Sequence, residues 1–135
     1  MINNDEKKIR LFEFSDKNKE SKQSAKAKTW LDENKIKYDF IDLSKKTITS
    51  AEFERWINES GLKNSKFVNP DNHALKDRSD NMTIKQLSEY LSSHPLDINR
   101  PILEINHNKI IFGFEESKYA EYLGDTNERY MKDKK

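Results

Sequence analysis

The stretch I-R-L-F-E-F-S-D-K-N-K-E-S-K-Q-S-A-K-A-K-T-W-L-D-E-N (9–34) decides the fold. Ile9 and Leu11 recur at the period of two that is typical of a strand with a buried face. A polar loop over 15–20 follows, and the next residues are good helix formers without Gly or Pro. A helix that follows a strand in this way begins at the carboxyl edge of the sheet, where ligands bind in open α/β sheets. We therefore expect any chemistry to lie at 21–24.

Length and charge limit the class of protein. The 135 residues favour one domain, which we expect to cover 9–124 between a disordered N-terminal tail (1–8) and a charged C-terminal tail (125–135). With 25 basic and 24 acidic residues, the net charge of +1 predicts no direct binding of nucleic acid or membrane. The sequence has no apolar run of membrane-spanning length and no signal-peptide core, so we predict a cytoplasmic protein.

The chain contains no cysteine. This excludes disulfides, thiolate nucleophiles and metal sites with Cys ligands. His73, His94 and His107 lie in turn or helix-end contexts, and none is paired at the spacing of zinc ligands. We therefore predict neither a metal nor a cofactor.

The remaining elements follow in a simple order. A second strand over 38–43 completes a βαβ unit, so the first two strands should be parallel. Thr49 and Glu52 form a predicted capping box for a helix that ends at Gly61, and 62–80 is the least regular stretch.

Further along, Thr83 opens a helix whose Gln86 can close the cap. A hairpin follows, with strands on either side of the turn at 106–108, and a last helix covers 115–123. The predicted fold is α/β: βαβ, a helical insertion and ββα around a mixed four-stranded sheet.

Four segments, in this order, are similar to segments of one known family. They are A-K-A-K-T-W-L-D-E-N-K-I (25–36), S-G-L-K-N-S-K-F-V-N (60–69), N-R-P-I-L (99–103) and G-F-E-E-S-K-Y (113–119). The chain thus resembles the arsenate reductase/Spx family of thioredoxin-like proteins. The resemblance implies the thioredoxin-like version of the fold predicted above.

The departure from the family falls at its redox site. Counting back from the first helix, the family's C-x-x-C falls on Ser21 and Ser24, and a longer preceding loop leaves Lys19 as an alternative match for the first Cys. Either placement removes the thiol. A serine nucleophile needs an adjacent base, and no histidine lies close in sequence. The favoured interpretation is that Ser21 caps the helix and that Ser24 faces solvent or a backbone carbonyl.

The resemblance also implies roles for Arg100 and Pro101. In the reductases the arginine of the R-P-I motif contacts the oxyanion and the following proline is cis. By resemblance, Arg100 would point towards Ser21 and the two would bind an oxyanion weakly; a surface salt bridge is the alternative for Arg100. Lys76 and Arg78 lie in the region of the family's further arginines but without a matching motif.

Two function classes remain. The first is a redox-inactive, non-enzymatic regulatory or protein-interaction module, for which the Spx branch implies an RNA polymerase subunit as a partner and transcription regulation as the role. The alternative is an arsenate reductase-like oxidoreductase that is degenerate or carries Cys-to-Ser changes. The sequence does not distinguish a natural S-x-x-S from an engineered one, and the absence of cysteine predicts no thiol-dependent enzyme activity.

Overall fold

The structure is a computed structural model that describes residues 8–123. The predicted tails lie outside the described residues, apart from Lys8, as does Gly124, the last residue of the predicted domain. The elements are β1 (Ile9–Glu13), α1 (Lys22–Glu33), β2 (Asp39–Asp42), α2 (Ser50–Ser60), α3 (His73–Ser79), α4 (Ile84–Ser93), β3 (Ile102–Ile105), β4 (Lys109–Phe112) and α5 over 116–123. Short 3-10 turns cover Asn64–Phe67 and Pro95–Asp97.

The strands form one sheet in the order β2-β1-β3-β4. β1 is parallel to β2 and antiparallel to β3, and β3 is antiparallel to β4. This is the predicted mixed four-stranded sheet of a thioredoxin-like α/β fold, and the prediction is confirmed. β2 and β4 are its two edges.

Helices cover both faces of the sheet. On one face, α1 and α5 bury Trp30 and Leu31 against Tyr119 and Leu123. The rings of Trp30 and Tyr119 meet edge to face with centroids 5.6 Å apart. On the other face, α2, α3 and α4 pack in a larger cluster that includes Trp56. The start of α1 therefore lies where the first layer meets the carboxyl end of β1.

Local sequence sets most helix ends. Thr83 and Gln86 form the predicted capping box of α4 in both directions. Thr49 accepts a hydrogen bond from the Glu52 amide at 3.2 Å, although the reciprocal bond of that predicted box is absent. Gly61 ends α2 with a φ of 69°, a left-handed conformation that glycine adopts without a steric penalty.

Three element boundaries differ from the sequence-based prediction. The stretch 62–80 contains α3, whose first turn is capped by the side chain of Asn72. The helix was missed because it has seven residues and Leu75 is its one buried hydrophobic side chain. β2 is shorter than 38–43 because only Asp39–Asp42 pairs with β1, and α5 begins one residue later than expected.

None of the helices within residues 8–123 combines the length and the apolar character that crossing a membrane requires.

Candidate functional site at the start of α1

Glu13, the last residue of β1, lies at the centre of the candidate site and is fully buried. Its Oε1 accepts a hydrogen bond from the Phe14 amide at 2.8 Å. Its Oε2 accepts one from the Ser21 amide at 3.0 Å and another from the Ser24 hydroxyl. Because carboxylates are favoured at helix N-termini, Glu13 is held where α1 begins.

Arg100 comes from the loop before β3 and is 4% exposed. Its Nη1 lies 2.5 Å from Glu13 Oε1 and also donates to the carbonyl of Lys19 at 2.7 Å. Its Nε donates to the Ile98 carbonyl at 3.2 Å, and the guanidinium carbon lies 5.4 Å from the centre of the Phe14 ring. The guanidinium is thus bonded to the chain on several sides, and its charge is compensated by Glu13.

Ser21 is the N-cap of α1. Its Oγ accepts a hydrogen bond from the Gln23 amide at 3.0 Å and donates to the Arg100 carbonyl at 2.8 Å. Both bonds use the hydroxyl structurally, in the manner of an N-cap. No histidine takes part in them, so a base that could activate the hydroxyl is absent from these contacts.

Gln23 connects the start of α1 to two other elements. Its Nε2 donates to Asn99 Oδ1 at 3.0 Å, and its Oε1 accepts from the Phe114 amide at 2.9 Å. This contact needs a glycine at 113, because a Cβ there would lie 2.8 Å from Asn99 Oδ1. The amide side chain thus joins α1, the loop before β3 and the chain that leads into α5.

Solved structures, unlike family models and curated proteins, include relatives of this fold. No family model matches the sequence, and no curated protein matches it. Among solved structures, a possible arsenate reductase from Streptococcus mutans is 26% identical over 79% of this chain and 91% of its own, with a TM-score of 0.66. A Staphylococcus aureus protein solved by NMR is 27% identical over 84% of this chain and 96% of its own, also at 0.66. An ArsC-family-related protein from Bacteroides fragilis, 24% identical over 84% of this chain and 96% of its own, shares the fold at a TM-score of 0.69.

The chain has a thioredoxin-like fold, and its structural neighbours are proteins of the arsenate reductase family. Within that family, the resemblance places the thiol positions on Ser21 and Ser24. The structure brings both residues together with Arg100 at the start of α1, and the Arg100–Pro101 peptide bond is cis.

Ser24 does not face solvent or a backbone carbonyl as predicted. Its side chain is fully buried and its hydroxyl donates to Glu13. The prediction was wrong because it considered only the first turn of α1, whereas the carboxylate that captures the hydroxyl comes from β1.

The other candidate residues contribute little to the site: Lys19 gives only its backbone carbonyl, and Lys76 and Arg78 lie outside it. Lys19, the alternative match for the first Cys, gives its carbonyl to Arg100, while its ammonium lies 5.7 Å from the centre of the Phe14 ring. Lys76 and Arg78 are on α3, which packs on the opposite face of the sheet from α1. Within 8–123, no group of His, Asp and Glu side chains is arranged to hold a metal ion.

Glu13 is the central residue that sequence reasoning missed. It is in phase with Ile9 and Leu11, whose side chains are buried. An acidic residue at the period of a buried face must find a partner, because an unpaired buried charge is very costly. The alternation that places Glu13 on the same face as Ile9 and Leu11 was therefore the signal available in the sequence. The partner could not be named because Arg100 lies 87 residues further along the chain.

Proposed function

We propose that this chain is a redox-inactive, non-enzymatic protein-interaction module of the arsenate reductase family. The observation that carries the proposal is the position of Glu13: the chain's own carboxylate takes the hydrogen bonds of the α1 start and the charge of Arg100. The absence of cysteine supports it, because thiol-dependent reduction needs a thiolate nucleophile.

The same contact limits oxyanion binding at Ser21 and Arg100. An incoming oxyanion would meet a guanidinium that is already paired, with the negative charge of Glu13 beside it. Like charges in a buried site oppose one another strongly. We therefore expect dissociation constants for phosphate or sulfate that are millimolar or weaker, equivalent to about 4 kcal/mol or less.

The decisive assay measures arsenate reduction, with glutathione or thioredoxin as reductant, for three proteins: the wild type, Ser21→Cys/Ser24→Cys, and that double variant with Glu13→Gln added. We expect no turnover from the first two, since Glu13 still fills the site. Turnover by Ser21→Cys/Ser24→Cys alone would support the alternative function, a reductase that lacks only its thiols.

The partner of the module is the second part of the proposal. The Spx resemblance favours an RNA polymerase subunit and a role in transcription regulation. The surface near Gly61 and α1 is the expected contact, and Leu62 beside that glycine is a large hydrophobic residue with 43% of its surface exposed.

A pull-down with purified RNA polymerase tests this part. Leu62→Glu should abolish recovery of a polymerase subunit. The matched control is Leu96→Glu, since Leu96 is similarly exposed, at 47%, but lies in another turn. If the wild type does not bind the polymerase, the Spx-like role is wrong. The proposal of a redox-inactive module would still stand, because the arsenate assay tests it separately.

A further inference from the structure

A cleft of about 310 Å³ runs along β4, at one edge of the sheet. All four residues of β4 line it, and its walls come from the end of α2 on one side and from Lys118 and Tyr122 of α5 on the other. Leu62, the exposed residue after α2, also lines it. We call this the edge cleft.

The edge cleft contains unused backbone groups. In an antiparallel pair, successive residues alternate between those that bond to the neighbouring strand and those that face away from it. The Gly113 amide donates to the Pro101 carbonyl at 2.8 Å, so Ile111, opposite Leu103, also faces β3. Ile110 therefore presents its N–H and C=O to the free side of β4. Within 8–123 no hydrogen bond from outside the sheet reaches these two groups.

The charge of the edge cleft favours an acidic ligand. Lys66, Lys109 and Lys118 line it, and none forms an ion pair within the described part of the chain. Of its two glutamates, Glu59 lies 3.6 Å from a guanidinium nitrogen of Arg55, on its own helix. The three lysines thus face one uncompensated carboxylate, that of Glu115.

The opposite edge of the sheet differs in charge. β2 begins and ends with Asp39 and Asp42, whereas β4 begins with Lys109. On the strands themselves, the two aspartates of β2 oppose an acidic segment and the lysine of β4 attracts one. This difference distinguishes two edges that would otherwise offer the same backbone groups.

We propose that the edge cleft binds an extended acidic segment of a partner polypeptide, which adds to β4 as a fifth strand. Backbone bonds to Ile110 supply the pairing, and the lysines bind flanking carboxylates. Leu62 and Tyr122 contact an apolar side chain between these carboxylates. The proposal deepens the interaction role given above and rests on it, because it names the chemistry of the partner's contact segment.

The test uses the full chain, labelled with nitrogen-15, and two blocked peptides. One is Asp-Glu-Val-Thr-Val-Glu-Asp, and the other has lysine in place of every acidic residue. The acidic peptide should shift the amide signals of Ile110 and Phe112 in a saturable way and slow hydrogen exchange at Ile110. The lysine peptide should bind at least tenfold more weakly.

Variants separate charge from backbone pairing. Lys109→Glu/Lys118→Glu should weaken binding of the acidic peptide at least tenfold, whereas Lys45→Glu, an exposed change in the turn after β2, should leave its affinity unchanged. Ile110→Pro removes the outward N–H at an edge position where proline is tolerated, and should abolish binding. The amide spectrum shows whether Ile110→Pro folds. If it does not fold, the peptide affinity of Lys109→Glu/Lys118→Glu decides the test.

Four results would overturn the proposal: no saturable shift, equal binding of both peptides, shifts at β2 instead of β4, or unchanged affinity in Lys109→Glu/Lys118→Glu. Shifts that depend on protein concentration without peptide would assign the edge to a second copy of the chain instead. None of these results bears on arsenate turnover, so failure here is distinguishable from failure of the proposed function.

Discussion

The start of α1 and the edge cleft differ in whether their polar groups have partners within the chain. At the start of α1, one carboxylate accepts bonds from two backbone amides, a hydroxyl and a guanidinium. At the edge cleft, the backbone of Ile110 faces outward and three lysines are without an acidic partner in 8–123. The start of α1 is thus a structural junction, whereas the groups that we propose bind a partner lie along β4. The start of α1 is therefore a closed site rather than an empty one.

The largest expected effect comes from opening the closed site. Glu13→Ala leaves the Arg100 guanidinium buried without a counter-charge, and removing one partner of a buried pair costs about 3–5 kcal/mol. Urea denaturation measures the loss. The control is Glu52→Ala, which removes an exposed partner of Arg55 and should cost less than about 1 kcal/mol. Equal losses in both variants would show that the Glu13 pair contributes no more than a surface pair.

A pair of buried serines sharpens the comparison. The Ser24 hydroxyl bonds to Glu13, whereas the equally buried Ser88 hydroxyl on α4 has no partner among the described residues. Ser24→Ala should destabilise by about 1–3 kcal/mol, because the carboxylate loses a donor. Ser88→Ala should be neutral or stabilising, since it removes an unsatisfied group. A reversed order of the two losses would contradict the network around Glu13.

A smaller effect is expected at the other edge of the sheet, from Asp42. Hydrogen bonds from Ser15 and then Ser44 hold the pKa of Asp42 well below its usual value. Because the folded pKa is the lower one, the stabilisation is present above about pH 4 and is lost as the pH falls. Unfolding measured from pH 6 to pH 2 should show a shallower decline in Asp42→Asn than in the wild type. Parallel profiles would mean that these bonds do not couple to folding.

The smallest effect on stability is expected at the edge cleft. Lys109→Glu/Lys118→Glu alters groups with no acidic partner within 8–123 and should change the free energy of unfolding by less than about 0.5 kcal/mol per site. Thermal denaturation beside the wild type gives the measurement. A large loss would mean that the lysines support the fold, and the peptide result would then need a milder variant such as Lys109→Gln.

Local chemistry explains what the sequence could predict. The strands, the cap at Ser21, the capping box at Thr83 and the left-handed end at Gly61 each depend on residues a few positions apart. α3 was not predicted because it has only one buried hydrophobic residue, which gives no helical repeat, and because it follows a turn-rich segment. The pairing of Glu13 with Arg100 joins β1 to the loop before β3, so it follows from the completed fold and not from any local pattern.

The burial of Glu13 also affects what single mutations at this site can do. A Ser24→Cys mutation alone would place a sulfur beside a buried carboxylate, whose negative charge raises a thiol pKa and suppresses the reactive thiolate. Loss of Glu13 alone would leave Arg100 unpaired and the fold weakened. Each of these two single changes is therefore either unproductive or harmful, and only combined changes would introduce thiol chemistry. One carboxylate at the end of β1 thus opposes thiol chemistry at the start of α1.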